Sequence, residues 1–500
     1  MTILTILMDL VIHLDRASSI PLYRQLGQGI RLAILQGRLQ GGQKLPSSRT
    51  LAKSLNLSRF TVTQSYEQLI GEGYLETLRG SGTYVTAQIP DRWLESESWE
   101  SITSSKIQSP ILSQFGRNLI EIERLSVSEP KGEISFCYGN PASAHFPLQQ
   151  WRRLINRYCA NSPELLNYAP DAAGYFPLRE AIANYLGRSR GVRCTPEQVI
   201  IVNGSQQALN LIARLTLNPQ DWVAIEDPGY LGARHCFKSQ SANLEPIPLN
   251  ADGLDVDYLA KCDRNLDRQF KLVYVTPSHQ FPTGVTLSLP KRIALLEWAQ
   301  STGTLIIEDD YDSEYRYESP PISALQGIDN SQSVIYIGTF SKTMFPSLRI
   351  GYLVVPKSWI ASVSRAKWLC DRSTPMLEQY ALTDWLNESH FERHLRRMRQ
   401  LYNSRRQVLI AALTEYLGDC VTILGASAGI HLMAKITTEL PDSVVIQKAA
   451  AVGVGLVSAS KYYLHPTDFS HRGEFIFGYG QLEAAQIIQG IQLFAAVLLN

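Results

Sequence analysis

The chain has 500 residues and is poor in the features that mark specialised protein classes. Its seven cysteines (137, 159, 194, 236, 262, 370 and 420) are odd in number, dispersed and never spaced Cys-x-x-Cys. Neither a disulfide framework nor a zinc site is indicated, and no metal is expected. No apolar run approaches the roughly 18 residues that span a bilayer. The apolar first twelve residues lack the basic flank of a secretory leader, so a reducing cytoplasm is the expected location, away from any membrane. No internal repeat occurs. A formal net charge of +1 gives the whole chain little pull on a polyanion.

What is present is unevenly distributed. Between Ile20 and Gln88 stand eight basic side chains and three acidic ones, a local net charge of +5 that leaves −4 on the remainder. With 45% apolar and 19% charged residues, the composition is that of a globular protein, and the length exceeds what one core usually serves. Three parts are expected: a basic module over 18–88, a polar, serine-rich linker over 89–131, and a large body over 132–500 whose small C-terminal subdomain starts near 375.

In the basic module, PLYRQLGQGIRLAILQGRL has apolar residues at helical spacing behind Pro21. RTLAKSLN supplies a second short helix, and Ser58 is placed as N-cap of a third, SRFTVTQSYEQLIGEG. GYLETLRGSGTYVT then alternates around a Gly-Ser-Gly turn as a two-stranded wing. This order predicts a winged helix-turn-helix that binds double-stranded DNA. Ser58, Arg59, Thr61 and Thr63 would reach the major groove, and Arg49 and Arg79 the phosphates.

In the body, apolar strands alternate with amphipathic helices, the rhythm of an α/β fold with a mostly parallel sheet and helices on both faces. Ligands of such sheets lie beyond the carboxyl ends of the strands, where the polar clusters of this chain fall. VNGSQQA opens a helix after a strand, turning the amides of Gly204, Ser205 and Gln206 toward an anion. Tyr230 follows another strand, with its ring free to cover a flat cofactor. IIEDDYDSEY ends a strand in three acids, which is costly unless something nearby needs negative charge. TFSKTMFPSLRIGY then presents Thr339, Ser341, Lys342 and Arg349 beyond the next strand. An amine for a carbonyl cofactor, with hydroxyls and a guanidinium for its phosphate, is the chemistry this grouping offers.

These strings carry two resemblances. The stretch LPSSRTLAKSLNLSRFTVTQSYEQLIGEGYLETLRGSGTYV is similar to the winged helix of GntR-type bacterial regulators, which implies operator contacts from Arg49, Ser58, Arg59, Thr61, Thr63, Arg79 and Gly80. From about Gly139 onward the chain resembles the fold-type I pyridoxal-phosphate enzymes of the aspartate aminotransferase kind. That likeness implies pyridoxal 5'-phosphate held as a Schiff base on Lys342, Asp309 on the pyridine nitrogen and Tyr311 on the ring hydroxyl. It implies Tyr230 stacked on the ring, and a phosphate cup of Gly204, Ser205, Gln206, Thr339, Ser341 and Arg349. Tyr168 would reach the phosphate of a neighbouring subunit in a homodimer.

Two positions depart from that pattern. HQFPTG has Phe281 where the aminotransferases carry an asparagine that supports the ring hydroxyl, leaving His279 or Gln280 as substitutes. RGEFIFGYG has Ile476 where they carry the arginine that clamps the substrate carboxylate; Arg472, His471 and Arg234 are the other cations in view. Both modules in one chain resemble the MocR/GabR class of regulators, whose dimers are head-to-tail. This implies a DNA-binding transcriptional regulator whose aminotransferase-like domain senses an amino acid or amine by exchange at Lys342, with little or no full turnover. The alternative is an active aminotransferase carrying a DNA-binding module.

Overall fold

The computed structural model describes residues 12, 14–78, 80–87, 111–122, 132–265, 269–317, 322–465 and 471–498. The chain divides into two compact units, Met1–Pro110 and Ile111–Asn500.

The first unit is the expected winged helix. Helices α1 (Leu22–Leu35), α2 (Ser48–Leu55) and α3 (Arg59–Gly71) precede an antiparallel hairpin of β1 (Leu75–Leu78) and β2 (Gly82–Val85). Ser47 and Ser58 cap α2 and α3, their hydroxyls accepting from the amides of Thr50 (3.2 Å) and Thr61 (3.0 Å). Val62, Tyr66 and Leu69 of α3 share one face by their three- and four-residue spacing, and bury it against Leu26, Ile30 and Ile34 of α1 and Leu51 of α2.

In the second unit, residues 111–122 depart from the expected linker. Gln114–Glu121 forms a helix, α4, capped by Ser113. It is tied to the body through Asn118, whose amide donates to Ser239 O (3.1 Å) and Ser241 Oγ (2.8 Å). The rest of 89–131 lies outside the described residues.

The body is built on eight strands: β3 (Val199–Val202), β4 (Trp222–Asp227), β5 (Asn243–Asn250), β6 (Gly253–Leu254), β7 (Phe270–Val275), β8 (Leu305–Asp310), β9 (Val334–Thr339) and β10 (Gly351–Val354). Their order is β3-β10-β9-β8-β7-β4-β5-β6. The five strands from β9 to β5 are mutually parallel; β10 runs antiparallel to both neighbours, and β6 to β5. Alternate residues of a strand enter different cores: Ile335 and Ile337 pack on one side, Tyr336 on the other. Both faces are covered, which is why the strands read as continuous apolar runs. A second, antiparallel sheet of β11 (Val421–Leu424), β12 (His431–Ile436), β13 (Val457–Ser458) and β14 (Glu474–Gly478) lies toward the C-terminus of the same unit.

Candidate functional site

The parallel register puts Asp309 of β8 opposite Ile337 of β9, so the chain leaves both strands at the same edge and carries Lys342 toward Asp309. The three acids that end β8 have separate fates. Glu308 accepts from the amides of Leu325 (2.8 Å) and Gln326 (3.0 Å). Asp310 pairs in the interior with Arg190 (2.8 Å) and accepts from Tyr336 (2.6 Å). Asp309 faces a cavity of about 200 Å³, with Oδ2 accepting from the Tyr274 hydroxyl (2.8 Å) and Oδ1 buried without a partner. Burial pushes its carboxyl up to about 7. A carboxylate so placed favours a proton or cation against Oδ1.

The same cavity is lined by Ser205, Gln206, Tyr230, Asp309, Tyr311, Thr339, Ser341, Lys342 and Arg349. The Lys342 amine donates to Gly139 O (2.5 Å), and burial holds it below the ordinary lysine range, which favours the neutral, nucleophilic form. Gly204, at φ +83°, precedes the helix α5 (Ser205–Thr216). A Cβ there would stand 2.7 Å from an Arg349 nitrogen, so the guanidinium lies directly over the helix N-terminus. Arg349 itself has φ +51° and donates to Asn203 O (2.8 Å). Helix amides, two hydroxyls and a guanidinium thus converge where an anion would be bound.

The support for Tyr311 comes from His279 and not from Gln280. His279 Nδ1 is 3.1 Å from the Tyr311 hydroxyl and 3.0 Å from both carboxylate oxygens of Asp312. A carboxylate at that distance holds the proton on Nδ1, so the Tyr311 oxygen faces an N–H and its own proton is free to be donated elsewhere. Gly429, at φ +78°, leaves the room: a Cβ there would lie 2.0 Å from His279 Cε1. Gln280 turns away, donating to Pro228 O (2.8 Å) and accepting from the Thr283 hydroxyl (2.6 Å).

Ile476 lies fully buried in β14, in one apolar cluster with Phe281, Met433, Val457, Ala459 and Tyr462. The other cations in view do not line the cavity. Arg234 donates to Tyr463 O (2.8 Å) and Lys461 O (3.0 Å), Arg472 donates to Glu439 O (3.1 Å), and His471 stacks on Tyr463. Tyr168 also stands apart, 86% exposed, with the Arg372 guanidinium 5.5 Å from its ring centre. Tyr274, Gly139, Asp312 and His431 belong to the site and were not singled out by sequence; only Asp312, inside the acidic string, carried a local signal.

In the winged helix, Arg49, Ser58, Arg59 and Gly80 are exposed, Thr61 and Thr63 half-buried. Arg59 and Thr63, four residues apart, share one side of α3. The Ser58 hydroxyl is occupied by its cap and by Thr61 Oγ1 at 2.8 Å. Arg79 lies outside the described residues.

The comparisons agree with both halves. The family of bacterial regulatory proteins, gntR family, matches residues 22–85, and aminotransferase class I and II matches 131–472. The probable rhizopine catabolism regulatory protein MocR of Rhizobium meliloti is 37% identical over 97% of this chain and 95% of its own. The chain belongs to this family of regulators. The pyridoxine biosynthesis transcriptional regulator PdxR of Corynebacterium glutamicum is 30% identical over 91% of this chain and 92% of its own. Pyrococcus horikoshii kynurenine aminotransferase, solved with PMP, superposes with a TM-score of 0.69 at 28% identity, covering 80% of this chain and 97% of that one.

This regulator accordingly combines a GntR-type DNA-binding domain with a fold-type I domain whose cofactor is pyridoxal phosphate, and its partner is DNA. The cavity fits that cofactor on its own evidence: an unpartnered buried carboxylate oxygen at one side, a depressed lysine amine, and an anion cradle beside Gly204. When bound, the cofactor supplies an electrophilic carbonyl carbon and an electron-withdrawing ring. No helix is long and apolar enough to cross a membrane among the described residues.

Proposed function

We propose that this cytoplasmic regulator reports the presence of a small amino compound, read at Lys342, as a change in operator binding. In this reading Lys342 holds the cofactor carbonyl and Asp309 keeps the ring nitrogen protonated. Tyr311 donates to the ring hydroxyl from a position set by His279 and Asp312, and Tyr230 covers one face. Gly204, Ser205, Gln206, Thr339, Ser341 and Arg349 hold the phosphate. The exposed Tyr168 is available to complete the phosphate site of a second subunit in a homodimer, head-to-tail as in the class. Arg59, Thr61, Thr63, Arg49 and Gly80 of the winged helix, with Ser58 and Arg79, contact the operator.

The observation that carries the reading is a cavity lined by nine of the eleven expected cofactor residues together with an apolar residue, Ile476, at the position resembling the one where an aminotransferase grips the substrate acid. Cofactor chemistry is retained while the means of turning over ordinary amino acids is reduced. That favours a sensor over an aminotransferase with a DNA-binding appendage. A ligand can shift DNA binding only as far as it prefers one arrangement of the chain over another.

The test uses Arg59→Ala in the full-length protein on DNA selected by the wild type. Affinity should fall by about fivefold or more while the absorbance of the bound cofactor stays unchanged. Normal DNA binding by the variant would remove α3 from the recognition role.

A further inference from the structure

The two departures from the aminotransferase pattern are one feature in space. Phe281 and Ile476, far apart in sequence, lie in the same buried apolar cluster. Around Phe281 the rings of Tyr138 (5.1 Å), Tyr462 (5.2 Å), His431 (5.6 Å), Tyr230 (6.0 Å) and Tyr311 (6.2 Å) form an aromatic wall, centroid to centroid. The hydroxyls of Tyr138 and Tyr462 are hydrogen-bonded to each other at 2.5 Å. Burial drives the His431 imidazole toward its neutral form.

The charges of the lining point the same way. Among the described residues Lys342 and Arg349 are its cations, and both have tasks: one takes the carbonyl, the other lies over Gly204 at the anion cradle. Asp309 and Asp312 are its anions. A ligand carboxylate brought to the aromatic wall would be desolvated with no uncommitted cation among the described lining residues. A protonated amine approaching the same place has no such carboxylate to bury and is attracted by the ring faces.

From this geometry we infer that the effector is a primary amine that carries no carboxylate beside its nitrogen, with a flat or apolar tail seated against Phe281. The inference rests on the proposed sensing at Lys342 and narrows its ligand class. It assigns to Phe281 and Ile476 together the rejection of α-amino acids, a selectivity opposite to that of an enzyme whose arginine grips the acid.

The experiment compares matched pairs on the full-length protein loaded with pyridoxal phosphate: tyramine against tyrosine, and phenethylamine against phenylalanine. Each is titrated while the absorbance of the bound cofactor is recorded. The amine of each pair should reach half-saturation at a concentration at least about tenfold lower than its amino acid, the scale of one unpaired buried charge. Equal or tighter response to the amino acids would overturn the inference and leave sensing at Lys342 standing. No spectral response to either member, from protein that retains its cofactor, would overturn both.

Discussion

The two ends of the cofactor cavity were built by different rules. At the polar end the groups cluster at the edge of one largely parallel sheet: Asp309 is the last residue but one of β8, Thr339 ends β9, Ser341 and Lys342 follow it, and Arg349 lies two residues before β10. Strand register fixes their mutual positions, so the arrangement survives wholesale or not at all. The other end is assembled from loops and the small antiparallel sheet, with Phe281, Tyr138, His431 and Ile476 drawn from separate segments. Side chains there can be exchanged without disturbing the ladder. Cofactor binding is therefore the constrained property of this domain, and ligand choice the adjustable one.

The largest effect belongs to the polar end. Lys342→Ala should remove the Schiff-base absorbance band of the cofactor-loaded protein, and borohydride reduction followed by peptide mass analysis should find no cofactor attached. Arg349→Ala should keep that attachment but weaken cofactor affinity by roughly 10- to 100-fold, the range of a lost charged hydrogen bond. A fluorescence titration checks it, and an unchanged affinity would put the anion elsewhere.

A smaller effect follows from Asp309. Burial raises its carboxyl to about 7 from an ordinary value of 3.8. The folded, cofactor-free protein thus holds this proton over a pH range in which the unfolded chain has lost it. Stability from this group is complete below about pH 4 and is lost as pH rises through 7. Cofactor-free Asp309→Asn should therefore unfold at a higher temperature than the wild type at pH 8, by roughly 2 °C, with the difference shrinking toward pH 5. A wild type that is the more stable of the two at pH 8 would mean that Asp309 is already compensated without the cofactor.

Much of this was legible in the sequence because it is local. The Ser58 cap, the Gly-Ser-Gly wing turn, the acids at the end of β8 and the Ser-Lys string each lie within a few residues of the element they define. The choice between His279 and Gln280 was not legible, because neighbours in one turn point to opposite sides and only the packing of Gly429 shows which faces Tyr311. Nor was the association of Phe281 with Ile476, which depends on how the small sheet meets the large one. The helix α4 was not legible because it sits in a polar, serine-rich stretch and buries none of its own residues.

The central claim is that occupancy at Lys342 controls the DNA-binding domain. The direct measurement is the affinity of the full-length, cofactor-loaded protein for its selected DNA, with and without saturating tyramine, in the wild type and in Lys342→Ala. The account predicts a shift of at least about fivefold in the wild type, a coupling of ordinary allosteric size, and none in the variant. An unshifted wild type, or an equal shift in both proteins, would contradict it.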